Sequence, residues 1–352
     1  MEFSVPIAGK TAGKLQVIIT NLHWRYSGVT ATNRMVAPKL AGMIDAAWLG
    51  SDIPTGISRL NVAGLLKLWM RPTPLIWHAR RNNEMIVGVL LRGLGWPLKL
   101  LFTSAAQRHH SWITRWLIRR MDSIIATSDA SASYLKREAT VVTHGVDTDR
   151  YMPPVDRAAA FEEAKLPGHY AIGCFGRVRA QKGTDLFVDA MCALLPRYPD
   201  FSAAIVGAIT PDQIGFANEL RRKITDAGLQ DRIVITGELP IKEVEQWFKR
   251  LTIYAFTSRN EGFGLTLIEA MSVGAALVAT RAGAAEIAVE EGVTGTLVPT
   301  GDARALADAI EPLMRNPDVA KAMGERGRQR VLDKFSLDAE ACNIAAVYRK
   351  LV

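Results

Sequence analysis

Cysteine is scarce in this 352-residue sequence: Cys174, Cys192 and Cys342 are odd in number and far apart. That spacing offers neither a disulfide framework nor a metal-ligand cluster, and it fits a reducing compartment. No uninterrupted apolar run reaches the roughly 18 residues a spanning helix needs, so none is expected. Residues 1–14 lack a basic stretch followed by an apolar core and a cleavage site, which argues against secretion. No Gly-x-Gly-x-x-Gly follows the first strand-like run of either half, which disfavours a dinucleotide-dependent dehydrogenase. Acids are nearly missing from one region. Between Lys67 and Arg120 stand ten basic residues against a single acid, Glu84, while the whole chain carries +8. This segment accounts for the entire excess and favours an anionic partner.

What is present is the composition of a folded protein, 49% hydrophobic and 22% charged. The length suits two domains, each able to bury a core. Short β-branched apolar runs at 15–20, 44–49, 75–78, 98–102, 123–126 and 141–143 read as buried parallel strands. They alternate with helices near 29–40, 60–70, 85–94 and 112–121. Residues 151–154 (Tyr-Met-Pro-Pro) read as a linker, and the alternation then restarts at 170–175. Strands are expected at 202–206, 232–236, 251–256, 275–280 and 295–299, and helices between them and on to 351. Alternation of this kind predicts parallel α/β architecture in both halves.

The chain is organised around residues 257–271. An apolar strand leads into a polar loop with two glycines, Gly262 and Gly264, and then into a helix. The first N–H groups of that helix have no intrahelical partner, so the turn is a ready anion site. Two carboxylates flank it, Glu261 and Glu269. A carboxylate repels phosphate, so both are expected to bind hydroxyls. Phosphate plus hydroxyls describes a sugar nucleotide. Elsewhere, Gly28 at a helix entrance reads either as a close approach to phosphate or as a plain turn. His78, Arg80 and Arg81 follow a strand at its carboxyl end, where ligands gather in open sheets; a solvated basic loop is the other reading. The helix over 112–121 carries Trp112, Trp116, Arg115, Arg119 and Arg120. It suits a membrane interface or an ordinary surface helix packed on a sheet.

The stretch Glu261-Gly-Phe-Gly-Leu-Thr-Leu-Ile-Glu269 resembles the two-glutamate signature of the retaining GT-B glycosyltransferases, family 4. Gly176-Arg177 with Gln181-Lys182-Gly183 is similar to that family's basic phosphate pair. Gly145-Val146-Asp147, Tyr151 and Pro153 resemble its interdomain stretch, and 283–286 and 292–295 its late motifs. The resemblance covers nearly all of the second half. It implies two Rossmann-like domains with parallel sheets facing across a cleft. An acceptor-side domain would span 1–153 and a nucleotide-sugar domain 154–335, with a last helix at 336–352 crossing back. The first half departs from the pattern: it lacks a paired-glycine loop after the first strand, and only Gly28 matches there.

By that resemblance the donor is bound by Gly28, Gly176, Arg177, Lys182, Gly262, Phe263, Gly264, Leu265, Thr266 and Glu269. Arg177 and Lys182 would neutralise the diphosphate, Glu261 would hold sugar hydroxyls, and Glu269 the ribose. Phe263 and Leu265 would wall the sugar pocket. Arg177, Lys182, Glu261 and His110 are the expected catalytic set. Family members carry a histidine just after the fourth strand, and His109 and His110 are the nearest here. The acceptor is expected near His78, Arg80, Arg81, His109 and His110. The sequence shows no obvious Asp-x-Asp metal motif, so no metal and no cofactor are expected. Residues 76–85 and 102–109 make the chain look like lipopolysaccharide core mannosyltransferases of α-proteobacteria. That resemblance implies retaining transfer from GDP-mannose to a lipid-linked, Kdo-bearing anionic acceptor. It also implies a place at the cytoplasmic face of the inner membrane, held peripherally, with no nucleic-acid partner. The rivals are a nucleotide-sugar epimerase of the same fold and a non-catalytic binding or scaffold protein.

Overall fold

The computed structural model describes residues 15–24 and 27–352. Residues 1–14, on which the argument against secretion rests, lie outside that range, as do Arg25 and Tyr26 of the first loop. The chain forms two compact units, one running to His144 and including Leu337–Val352, the other Gly145–Ser336.

In the first unit the strands are β1 (Val17–Asn21), β2 (Ala46–Gly50), β3 (Ser58–Arg59), β4 (Leu75–Ala79), β5 (Leu98–Ser104), β6 (Ser123–Ala126) and β7 (Thr140–Val141). They form one parallel sheet in the order β3-β2-β1-β4-β5-β6-β7. The helices are α1 (Gly28–Met43), α2 (Val62–Lys67), α3 (Asn82–Gly93), α4 (Trp112–Ile118) and α5 (Asp129–Ser133). Ser27, Asn61, Ser111 and Ser128 cap α1, α2, α4 and α5 through their side-chain oxygens, as small polar residues at these places do. The central strands are buried on both faces. Val17, Ile19, Ile76, Leu101 and Ile125 pack on one side, and Ile18, Trp77, Leu100, Phe102 and Ile124 on the other. This is why their sequences read as continuous apolar runs.

The second unit adds β8 (Tyr170–Phe175), β9 (Phe201–Val206), β10 (Ile233–Gly237), β11 (Leu251–Phe256), β12 (Ala276–Thr280) and β13 (Thr296–Val298). Their order is β10-β9-β8-β11-β12-β13, again parallel. Its helices are α6 (Arg157–Glu162), α7 (Thr184–Leu194), α8 (Ile214–Asp226), α9 (Ile241–Arg250), α10 (Leu265–Ser272), α11 (Ala285–Ala288), α12 (Ala303–Arg315) and α13 (Pro317–Lys334). The final helix, α14 (Leu337–Leu351), packs on α1 of the first unit, with Ile344, Ala345 and Tyr348 in its core.

Four elements differ from the sequence reading. The helix expected over 60–70 stops at Lys67, because Trp69 leaves it to stack on Trp96 at 5.0 Å between centroids. The strand at 141–143 is the shorter Thr140–Val141. The two-residue β3 is too short to show a period. The helix α6 was not expected; its Arg157 guanidinium donates to the carbonyls of Leu251 and Val273. Residues 151–154 are not free linker: Tyr151 is buried, edge-on to Phe248 at 5.5 Å. The first unit therefore ends at His144, nine residues before the expected boundary.

Candidate active site

Sheet order in the second unit reverses between β8 and β11, the place where open α/β sheets bind ligands. The loops leaving those strands carry 176–183 and 257–264. After β8 the chain passes Gly176 and the exposed Arg177, which has no ion-pair partner among the described residues. It then makes a 3-10 turn, Ala180–Lys182. Gly183 follows at φ +67°, with its would-be Cβ 1.9 Å from the Thr257 carbonyl oxygen, so only glycine fits. That close approach is stitched further. The Thr257 hydroxyl donates to the Lys182 carbonyl at 2.7 Å, and the Arg259 N–H to the Gln181 carbonyl at 2.9 Å. Arg259 also grips Asp185 through two bonds of 2.8 and 2.7 Å.

The consequence is that Lys182 Nζ meets Glu261 Oε2 in an ion pair, with both side chains about one-fifth exposed. The lysine chain runs beside Gly176, where an added Cβ would lie 3.5 Å from it. The Gly262 N–H donates to Glu261 Oε1 at 3.3 Å. Gly264 adopts φ +92° beneath the Phe256 ring and opens α10, whose N-terminus has no side-chain cap. Its first N–H groups, at Leu265 and Thr266, therefore remain available to an anion. Phe263 is buried in the adjoining core.

Glu269 lies on α10, at the start of its second turn, eight residues after Glu261 in the preceding loop. Burial pushes its carboxyl up to about 7, against the hydrogen bond from the Tyr151 hydroxyl and the charge of Arg150, which favour the anion. Between its ordinary value of 4.5 and about 7, the folded chain holds a proton that the unfolded chain releases. Stability therefore falls as the pH rises through that window. Glu269→Gln is expected to raise the unfolding free energy of the ligand-free chain at pH 8 by about 1–3 kcal/mol. At pH 5 it should leave it nearly unchanged. Melting curves at the two pH values check this, and equal shifts at both would refute it.

In the first unit the expected residues separate into two groups. His78 is buried, its Nδ1 2.6 Å from the Tyr348 hydroxyl and its Nε2 2.7 Å from the Thr103 hydroxyl. Both ring nitrogens are engaged, and burial drives its pKa well below the ordinary value. Arg81 donates to Asn21 Oδ1 (2.9 Å), Ser27 Oγ (2.7 Å) and Thr30 Oγ1 (2.7 Å), tying the start of α3 to the end of β1 and the start of α1. Arg80 is also buried, but its Nε and Nη2 have no hydrogen-bond partner among the described residues. His109 is exposed and packs edge-on against Tyr134 at 5.2 Å. His110 is partly buried, its Nε2 unpartnered, and burial together with Arg108 lowers its pKa. Gly28 is the first residue of α1, and among the described residues nothing lies near enough to its Cα to demand glycine. A cavity of about 340 Å³ is lined, among the described residues, by Leu22, His23, Trp24 and Asn83.

Against this geometry the comparisons with known proteins are direct. The family described as glycosyl transferases group 1 matches residues 156–330, the span that holds both loops and α10. The lipopolysaccharide core biosynthesis mannosyltransferase LpcC of Rhizobium leguminosarum bv. viciae is 46% identical over 343 residues, 96% of this chain and 97% of that protein. The chain belongs to the group 1 glycosyltransferases. The corresponding LpsB of Rhizobium meliloti (strain 1021) is 41% identical, covering 96% of this glycosyltransferase and 98% of LpsB. Among solved structures, the Anabaena protein HepE in complex with UDP superposes with a TM-score of 0.82 at 20% identity, over 96% of this chain and all of that one. That likeness establishes the GT-B fold.

Two features of the glycosyltransferase escaped the sequence reading. One is the Tyr151–Glu269 contact, hidden because Tyr151 sat in a stretch read as linker. The other is Asp147-Thr148-Asp149, which does have the Asp-x-Asp spacing. Asp147 Oδ1 accepts the N–H groups of Asp149 (3.2 Å) and Arg150 (3.1 Å), so it closes a turn.

Proposed function

We propose that this glycosyltransferase moves mannose from GDP-mannose, with retention, to an anionic lipid-linked acceptor of a lipopolysaccharide core. The observation that carries the reading is the Lys182–Glu261 pair beside the uncapped start of α10. Lysine and the free helix N–H groups suit a diphosphate, whose charge grows as the nucleotide leaves. Arg177, exposed and unpaired, adds a guanidinium able to hold two phosphate oxygens. In this reading these cations take the place of a metal, and no cofactor is needed. Glu261 and Glu269 take sugar and ribose hydroxyls. The reaction runs on the same face of the sugar, with the leaving phosphate accepting the acceptor's proton. The names of the two rhizobial relatives support mannose and the lipopolysaccharide core.

A place at the membrane surface is supported by the first unit. Val62, Leu66 and Met70 near α2, Leu90 on α3, and Trp112 and Trp116 on α4 are all exposed. Lys67, Arg115 and Arg119 are exposed beside them in sequence. Apolar and basic groups together suit an anionic lipid surface. No helix among the described residues is long and apolar enough to cross a membrane.

The test is a donor screen by ligand NMR on the purified chain, with GDP-mannose, UDP-glucose and UDP-N-acetylglucosamine. GDP-mannose is expected to bind at least about tenfold more tightly. Preference for a UDP sugar would overturn the mannose reading, and turnover of donor without acceptor would favour the epimerase. Pelleting with anionic but not neutral vesicles, and no shift of a DNA duplex, are the expected companion results.

A further inference from the structure

Arg80 stands out among the buried cations of the first unit. It leaves the carboxyl end of β4 and is 7% exposed, yet Nε and Nη2 have no partner among the described residues. The charged and titratable groups that act on it include Glu340 and Tyr348 from α14, Glu84 and Arg81 from the start of α3, and His78 from its own strand. None of them satisfies it. Glu340 is held by His144 at 2.9 Å, and Glu84 accepts the backbone N–H groups of Leu22, Arg80 and Arg81. His78 is spent on Tyr348 and Thr103.

The sheet adds a second unsatisfied group on the same face. Side chains alternate along a strand, so Ile76, His78 and Arg80 share a face with Leu101 and Thr103 of β5 and with Ile125 and Thr127 beyond β6. The His78–Thr103 bond shows that this alternation persists to the carboxyl edge. Thr127 is fully buried there, and its hydroxyl also lacks a partner. Leaving buried N–H and O–H donors unmet is costly, and a native chain tolerates it where a ligand completes them.

We propose that Arg80, assisted by the Thr127 hydroxyl, forms an oxyanion subsite that recognises the anionic group of the acceptor. The planar guanidinium presents two N–H groups to one oxyanion, which a carboxylate or a phosphate satisfies equally well in geometry. The inference rests on the reading that the first unit takes the acceptor, and it gives that acceptor's charge a residue. Arg81, by contrast, is a positioning residue, since its guanidinium is consumed within the fold.

The test uses the full chain labelled with ¹⁵N-arginine, titrated with inorganic phosphate, with glucuronate and with neutral glucose. The Arg80 Nε–H signal is assigned by its loss in Arg80→Lys. One of the two anions is expected to shift it saturably, and which one tells phosphate from carboxylate; glucose should not. In calorimetric titrations Arg80→Gln should weaken that anion at least about tenfold, while GDP affinity stays within about twofold. Two outcomes overturn the subsite. One is an Arg80 signal that no anion moves; the other is equal anion affinity in wild type and Arg80→Gln. If Arg80→Gln does not fold, the comparison passes to Arg80→Lys and Thr127→Val, each expected to weaken the anion several-fold. Failure of GDP binding with the anion response intact would refute the donor reading and leave the subsite standing.

Discussion

Lys182→Ala is expected to lower glycosyl transfer at least about a hundredfold without disturbing the fold, the scale of losing one main transition-state contact. Lys182 and Glu261 form their pair with both side chains partly exposed. Pairs of that kind contribute about 1 kcal/mol or less to stability, so the melting temperature should barely move. Activity should move greatly, because in the proposed mechanism the ammonium faces the charge that develops on the leaving diphosphate. Glu261→Ala is expected to lose a similar factor by a different route. It frees Lys182 from its partner, so nucleoside diphosphate affinity holds or rises while turnover falls. In Lys182→Ala that affinity drops. Initial rates and GDP titrations on both variants separate the two roles. Near-normal turnover in either folded variant would sink the assignment of this loop pair to catalysis.

The second large effect is on stability and falls in the first unit. Glu84→Ala is expected to cost about 3 kcal/mol or more. The Glu84 side chain is fully buried and accepts N–H groups from Leu22 (3.1 Å), Arg80 (2.7 Å) and Arg81 (3.1 Å). It also lies 3.7 Å from the Arg81 guanidinium. Burial raises its pKa, against those backbone bonds and Arg81. Removing it leaves three N–H groups without their acceptor and takes away the carboxylate beside the Arg81 guanidinium, at the edge where β1 and β4 meet. Glu84→Gln keeps one acceptor oxygen and should lose less. Chemical denaturation of the three proteins checks the ranking. An alanine variant as stable as wild type would show that water replaces the carboxylate at no cost.

Glu84 was the single acid in a strongly basic stretch, and the sequence offered no reason for it. The structure supplies one: it is the anchor of the loop that carries Arg80 and Arg81. The same holds for the histidines. As letters, His78 and His110 are equivalent candidates for an acceptor site. In the fold, His78 is locked between Tyr348 and Thr103, and His110 keeps an unpartnered nitrogen. The difference comes from α14, which brings Tyr348 across 270 positions of sequence.

By itself the sequence determined the parallel α/β class of both halves. Strands buried on two faces must be apolar throughout, and glycines must mark the turns at their carboxyl ends. It also determined that Glu261 and Glu269 flank a helix start, because eight residues of helix are a local matter. The tertiary structure alone decided what those residues meet. Adjacency of β8 and β11 sets Lys182 against Glu261 over 79 positions, and the fold carries Tyr151 to Glu269 from a stretch that reads as linker. Periodicity reports which face of an element is buried. It says nothing about which distant loop closes over that element's end, and the proposed donor chemistry depends on that closure.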